Sequence, residues 1–176
     1  MKMRLSSSKL MKSMVVPLCG FLLSQTATAE PNNDTGQESV ADILAAAPES
    51  VARQATVISR DGKVLRKGEG EWVCRIAGPS GNDPVCTDSE FRAYLDARTK
   101  GKLPTIERIG LAYMLQGMSW DGMYIPPHGM LIVPDNAYFQ GFPTVPSGGT
   151  PWVMMAETPY AHLVVPMGEG LPHKTQ

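Results

Sequence analysis

The chain has 176 residues, 43% of them hydrophobic, with 16 Lys and Arg against 17 Asp and Glu. Four of the basic residues, Lys2, Arg4, Lys9 and Lys12, lie near the start, so from Glu30 onward acids outnumber bases and no basic patch remains. That balance excludes nucleic acid and anionic membrane surfaces as expected partners.

Residues 1–29 have the form of a secretory signal peptide: a basic head, the short apolar middle "MVVPLCGFLL", and Ala27-Thr28-Ala29 ahead of Glu30. The apolar part is too short and wrongly flanked for a membrane span. Leu18 precedes Cys19, where a lipid-modified cysteine would follow a small residue. No later stretch is apolar enough to cross a bilayer. The mature chain is therefore expected in the periplasm or outside the cell, as one domain over residues 38–168. A flexible leader at 30–37 and a flexible tail at 169–176 flank it.

Cys74 and Cys86 are the cysteines left after cleavage. An even count in an exported chain points to a disulfide, worth about 3 kcal/mol for a loop of this length. A metal–thiolate pair is the alternative, but the spacing is not C-x-x-C and no further cysteine completes a sulfur-rich site.

In chain order, "ESVADILAAAP" predicts a helix with Val40, Ile43 and Leu44 on one face and Pro48 as its stop. "ATVISRDGKVLRKG" predicts a β-hairpin turning at Asp61-Gly62. "EWVCRIA" predicts a strand with Trp72, Cys74 and Ile76 on one side. "GPSGNDPVC" reads as loop. "TDSEFRAYLDARTKG" predicts a helix with Thr87 and Glu90 as a capping box, an apolar stripe of Phe91, Tyr94 and Leu95, and Gly101 as its stop. "IGLAYMLQG", "HGMLIVP", "WVMMAE" and "HLVVPM" predict short strands. "MSWDGMYIPP" reads as an exposed, proline-stiffened loop, and "PDNAYFQGFP" as a helical turn capped by Asp135. The sum is an α+β domain: a mostly antiparallel sheet, one or two helices packed on one face, a loop-rich C-terminal half and one disulfide.

The strings "GEGEWVCRIAGPSGNDPVCTDSEF", "GLAYMLQG", "PHGMLIVPD" and "GGTPWVMMAETPYAHLVVP" resemble a group of small exported bacterial proteins of unknown function. The resemblance runs from about Ala55 to Pro166. It implies an exported single domain, and it carries no catalytic residue with it.

No serine-hydrolase, zinc-protease, phosphate-loop or dinucleotide motif is present. What remains is histidine, acid, methionine and aromatic chemistry. His128 and His162 each open an apolar run, and if their strands are neighbours the imidazoles meet at one end of the sheet. With Met130 they would form a soft set suited to copper, or a site for zinc. Met154, Met155 and Met167 come from nearby segments, and core filling is the alternative role for all these methionines. Tyr160 and Glu157 beside His162 would suit acid–base work in a small hydrolase or isomerase, or a satisfied polar network. Asp83 and Asp88 flank Cys86 without calcium-loop spacing, so turn and cap roles explain them better.

Trp72, Trp120, Trp152, Tyr113, Tyr124 and Phe142 would line an apolar ligand pocket or fill the core. Trp120, Tyr124 and Pro126 would present a partner-binding surface. The leading expectation is an exported binding or interaction module without catalytic activity, its partner a protein or a small-molecule ligand. A copper or zinc protein and a small enzyme with a His162 base are the alternatives.

Overall fold

Ser39 opens the first helix, its hydroxyl accepting from the Asp42 amide. The computed structural model describes residues 39–77 and 81–168. The segments expected as signal peptide, leader and tail lie outside the described residues. Everything described belongs to one compact unit.

Helix α1 (Val40–Leu44) is shorter than its composition suggests. Pro48 both bars its continuation and caps α2 (Glu49–Ala52), a position where no donor is needed. Strands β1 (Thr56–Ile58) and β2 (Val64–Arg66) form the hairpin expected around Asp61-Gly62, with Gly62 at φ 83°.

Strand β3 (Val73–Ala77) pairs antiparallel with β4 (Asp83–Thr87), which puts Cys74 directly opposite Cys86, and the two are joined by a disulfide. The expected loop "GPSGNDPVC" is thus half strand, and the bridge ties two strands together rather than a strand to a loop. Pro84 hid this. The Cα atoms of Cys74 and Cys86 are 4.0 Å apart, the spacing of a non-hydrogen-bonded pair. Pro84, two residues earlier and opposite Ile76, therefore turns its nitrogen away from β3. It faces a stretch with no registered partner on the far side, where a missing donor costs nothing.

Helix α3 (Ser89–Thr99) starts one residue later than expected. Thr87 stays in β4, and Asp88 is the cap, its carboxylate accepting from the Phe91 amide at 2.7 Å and the Leu111 amide at 2.8 Å. Glu90 accepts from the Glu107 amide instead of closing a capping box. Gly101, at φ 63°, follows the helix end.

Then come β5 (Gly110–Met114), β6 (Met118–Trp120), β7 (Met123–Ile125), β8 (His128–Ile132), a 3-10 turn at Asn136–Phe139 capped by Asp135, β9 (Trp152–Met154) and β10 (His162–Pro166). Eight strands make one sheet in the order β2-β1-β3-β4-β5-β8-β10-β9, antiparallel except for β1 beside β3. The segment "MSWDGMYI", expected as a loop, is the separate hairpin β6–β7. Asp121 and Gly122, at φ 49° and 74°, give it the two left-handed positions of a two-residue turn.

The sheet is apolar on both faces. Val85, Ala112, Met130, Ile132 and Val164 pack with Phe91 and Tyr94 of α3, whereas Cys86, next to Val85 on β4, and Cys74 of β3 pack with Ile43 and Ala46 of the first helical segment. The two main helices therefore lie on opposite faces rather than sharing one. Gly110 lets α3 sit down on its face: a Cβ there would be 2.7 Å from Ile132 and 2.9 Å from the Phe91 nitrogen. Among the described residues no helix is long and apolar enough to cross a membrane.

Candidate functional site

The α3 face of the sheet does not close completely. Between α3, the sheet and β6 lies a cavity of about 400 Å³, lined by Met114, Met118, Met130 and Met154 together with Tyr94, Trp120 and His162. That volume falls within the roughly 300–1,000 Å³ of small-molecule sites. Strand parity explains the methionines. Met114 and Met130 alternate inward on β5 and β8, and Met154 sits directly across from His162 on the β9–β10 pair. Flexible thioether side chains leave an irregular, adaptable wall.

His162 is buried, 2% exposed, and fixed from one side. Its Nδ1 is 3.0 Å from the Tyr160 carbonyl and 3.1 Å from the Tyr94 hydroxyl, which also donates to that carbonyl at 2.8 Å. A lone pair on Nδ1 would face the carbonyl's own, so Nδ1 carries the proton and Nε2 is left as an acceptor. Nε2 has no hydrogen-bond partner among the described residues. Burial pushes the imidazole down to about 4, against the help of the Tyr160 carbonyl, and the nearby Arg98 lowers it further. Burial likewise pushes the Tyr94 phenol up to about 12, with Arg98 opposing. At neutral pH both groups are uncharged. The loop that supplies the Tyr160 carbonyl has two non-glycine residues in the left-handed region, Met155 at φ 55° and Glu157 at φ 64°, strain of the kind held at ligand sites.

The two histidines do not share a site. Their strands are neighbours, the condition on which a meeting of the imidazoles rested, but antiparallel, so the two strand starts fall at opposite ends of the pair. His128 is registered with Pro166, four positions along from His162, or roughly 13 Å of strand. His128 lines a second cavity of about 550 Å³ on the far side of the small hairpin, with Tyr124 of β7 and Trp152. Its Nδ1 donates to the Pro126 carbonyl at 2.6 Å, its buried Nε2 has no partner, and burial lowers its pKa. Met130 lines the first cavity with His162, while His128 lies on the same strand face as Met130. Among the described residues no cluster of three or more His, Cys, Asp or Glu is placed to hold a metal.

The other expected acid–base partners point elsewhere. The Tyr160 hydroxyl donates to the Lys102 carbonyl, and Glu157 is exposed. Tyr94, read from the sequence only as part of a helix stripe, is the phenol at His162. The aromatic set divides: Trp120 lines the first cavity, and Tyr124 and Trp152 line the second. Trp72 and Tyr113 pack on each other with ring centroids 5.6 Å apart. Phe142 is exposed. Of the expected interaction surface, Tyr124 and Pro126 are exposed and Trp120 is partly buried against the core. Asp88 is spent on backbone amides.

Two cations were missed. Arg75 of β3 and Arg98 of α3 also line the first cavity. Both are half-buried, and neither forms an ion pair among the described residues. The signals were present: Arg75 alternates with Cys74 and Ile76 on a strand buried on both faces, and Arg98 lies four residues after Tyr94 on the same helix face. Comparison with protein families, curated proteins and solved structures returns no match.

Proposed function

We propose that this protein is an exported binding module that holds one small, largely apolar molecule in the cavity between α3 and the sheet. The cavity itself carries the reading: a methionine-rich space of about 400 Å³, walled by elements from both halves of the chain and closed on one side by the β6–β7 hairpin. The space is a cleft partly open to solvent and lined mainly by apolar side chains, so a ligand entering it would remove that apolar surface from water. The Cys74–Cys86 bridge and the signal-like start of the chain support a site of action beyond the cytoplasm. The buried, uncharged state of His162 supports binding over proton transfer, since a base depressed to about 4 is weak at neutral pH.

The test is a titration with decanol below micelle-forming concentrations, followed by tryptophan fluorescence. Saturable one-to-one binding is expected. Leu95→Trp places a large side chain in the cavity wall and is expected to weaken binding at least tenfold while the chain stays folded. Equal binding by that variant, or no binding by the parent chain, contradicts the reading.

A further inference from the structure

Two half-buried guanidinium groups without carboxylate partners, set in the wall of an apolar cavity, are an unusual expense. A charge taken from water is normally paired, and Arg in particular is suited to hold a planar anion by two parallel hydrogen bonds. Elsewhere in this fold the arginines follow that rule. Arg108 meets Glu71, Asp88 and Glu90, and Arg53 meets Glu49. Arg66 donates to the carbonyls of Ala52, Arg53 and Ala55, and Arg92 to those of Glu71 and Thr87. Arg75 and Arg98, which have no carboxylate or carbonyl partner among the described residues and of which only Arg98 has a polar neighbour, the Tyr94 hydroxyl, are the two that line the cavity, from β3 on one side and α3 on the other. Among the described residues no Asp or Glu lines it.

We infer that the ligand is an amphipathic carboxylate, its head held by Arg75 and Arg98 and its flexible apolar tail lying among Met114, Met130 and Met154. The inference rests on the binding reading above and gives it a ligand class. The Nε2 of His162, without a partner among the described residues, offers a neutral acceptor in the same lining, so a hydroxyl on the tail would be accepted where a second anionic group would not.

The experiment compares ligands with one tail and three heads. Decanoate, decanol and decylamine are titrated into the full chain at low and at raised salt. Decanoate is expected to bind about tenfold more tightly than decanol, decylamine more weakly than either, and added salt to reduce only the advantage of decanoate. The Arg75→Gln, Arg98→Gln double variant is expected to bind decanol as before and to lose the preference. Arg75→Lys, Arg98→Lys, which keeps the charge, is expected to retain part of it. Equal binding of decanoate and decanol overturns the carboxylate assignment and leaves the cavity reading standing. A preference that survives in the glutamine variant overturns the role of these arginines. Failure of all three ligands to bind overturns both readings together.

Discussion

His162 is the residue whose state reports most on its surroundings. Its ring packs edge-on to Phe91 and Tyr94, with centroids 6.2 Å and 5.9 Å away, and its one hydrogen-bonded side is taken by Tyr160 and Tyr94. Burial holds it neutral in the folded chain down to about pH 4, whereas in the unfolded chain it protonates near 6.5. Between those values unfolding takes up a proton, so stability falls as pH falls, by roughly 1.4 kcal/mol per pH unit for one such group. His128 is shifted in the same direction by its burial and adds to the slope. The melting temperature is therefore expected to drop between about pH 7 and about pH 4.5, and His162→Asn, which keeps a donor for the Tyr160 carbonyl, to flatten the profile. A melting temperature that is flat or rises on acidification would contradict the buried neutral state.

At the scale of elements, α3 is tied to the sheet by hydrogen bonds at its first turn as well as by the packing of Phe91 and Tyr94. The Asp88 carboxylate serves both the Phe91 amide of the helix and the Leu111 amide of β5, so one side chain locks the helix start to the strand that supplies Met114. Asp88→Ala removes the cap and leaves two amides without an acceptor, with an expected loss of about 2 to 3 kcal/mol in denaturant unfolding; Asp88→Asn, which keeps one acceptor oxygen, should lose less. An Asp88→Ala variant as stable as the parent would show that α3 is held by packing alone. Elements with a local signature were legible in the sequence. The Asp61-Gly62 hairpin, the Phe91–Tyr94 stripe, the Asp135 cap and the apolar runs at Leu111, Leu131, Val153 and Leu163 all form as their patterns predict. Two were not. Strand β4 was masked by Pro84, harmless only because of the side its nitrogen faces. The β6–β7 hairpin carries the same Asp-Gly signal as the first hairpin, but its short arms and prolines gave it the look of a loop.

At the scale of the molecule, the cavity is a product of strand order, which no local pattern encodes. β10 inserts between β8 and β9, and this brings Met154 and His162 beside Met130. The antiparallel pairing that follows sends His128 to the other end, where it faces a separate cavity across the β6–β7 hairpin. The sequence showed that both histidines open strands. It could not show that the strands run in opposite directions, which is what decides that neighbouring strands do not bring the two histidines together. Arg75 and Arg98 illustrate the same limit: each is an unremarkable charge on its own element, and only the packing of α3 over β4 and β5 sets both around one cavity.

The most direct measurement is a nuclear magnetic resonance titration of the full chain with isotope-labelled methionine methyl groups and decanoate as the added molecule. If the cavity between α3 and the sheet is the binding site, the methyl signals of Met114, Met118, Met130 and Met154 shift together and saturate. The exposed Met123 and Met167 stay where they are. Saturable shifts confined to Met123 would place the ligand in the second cavity, and shifts of none of these methyls would remove the cavity as a site; either result contradicts the account.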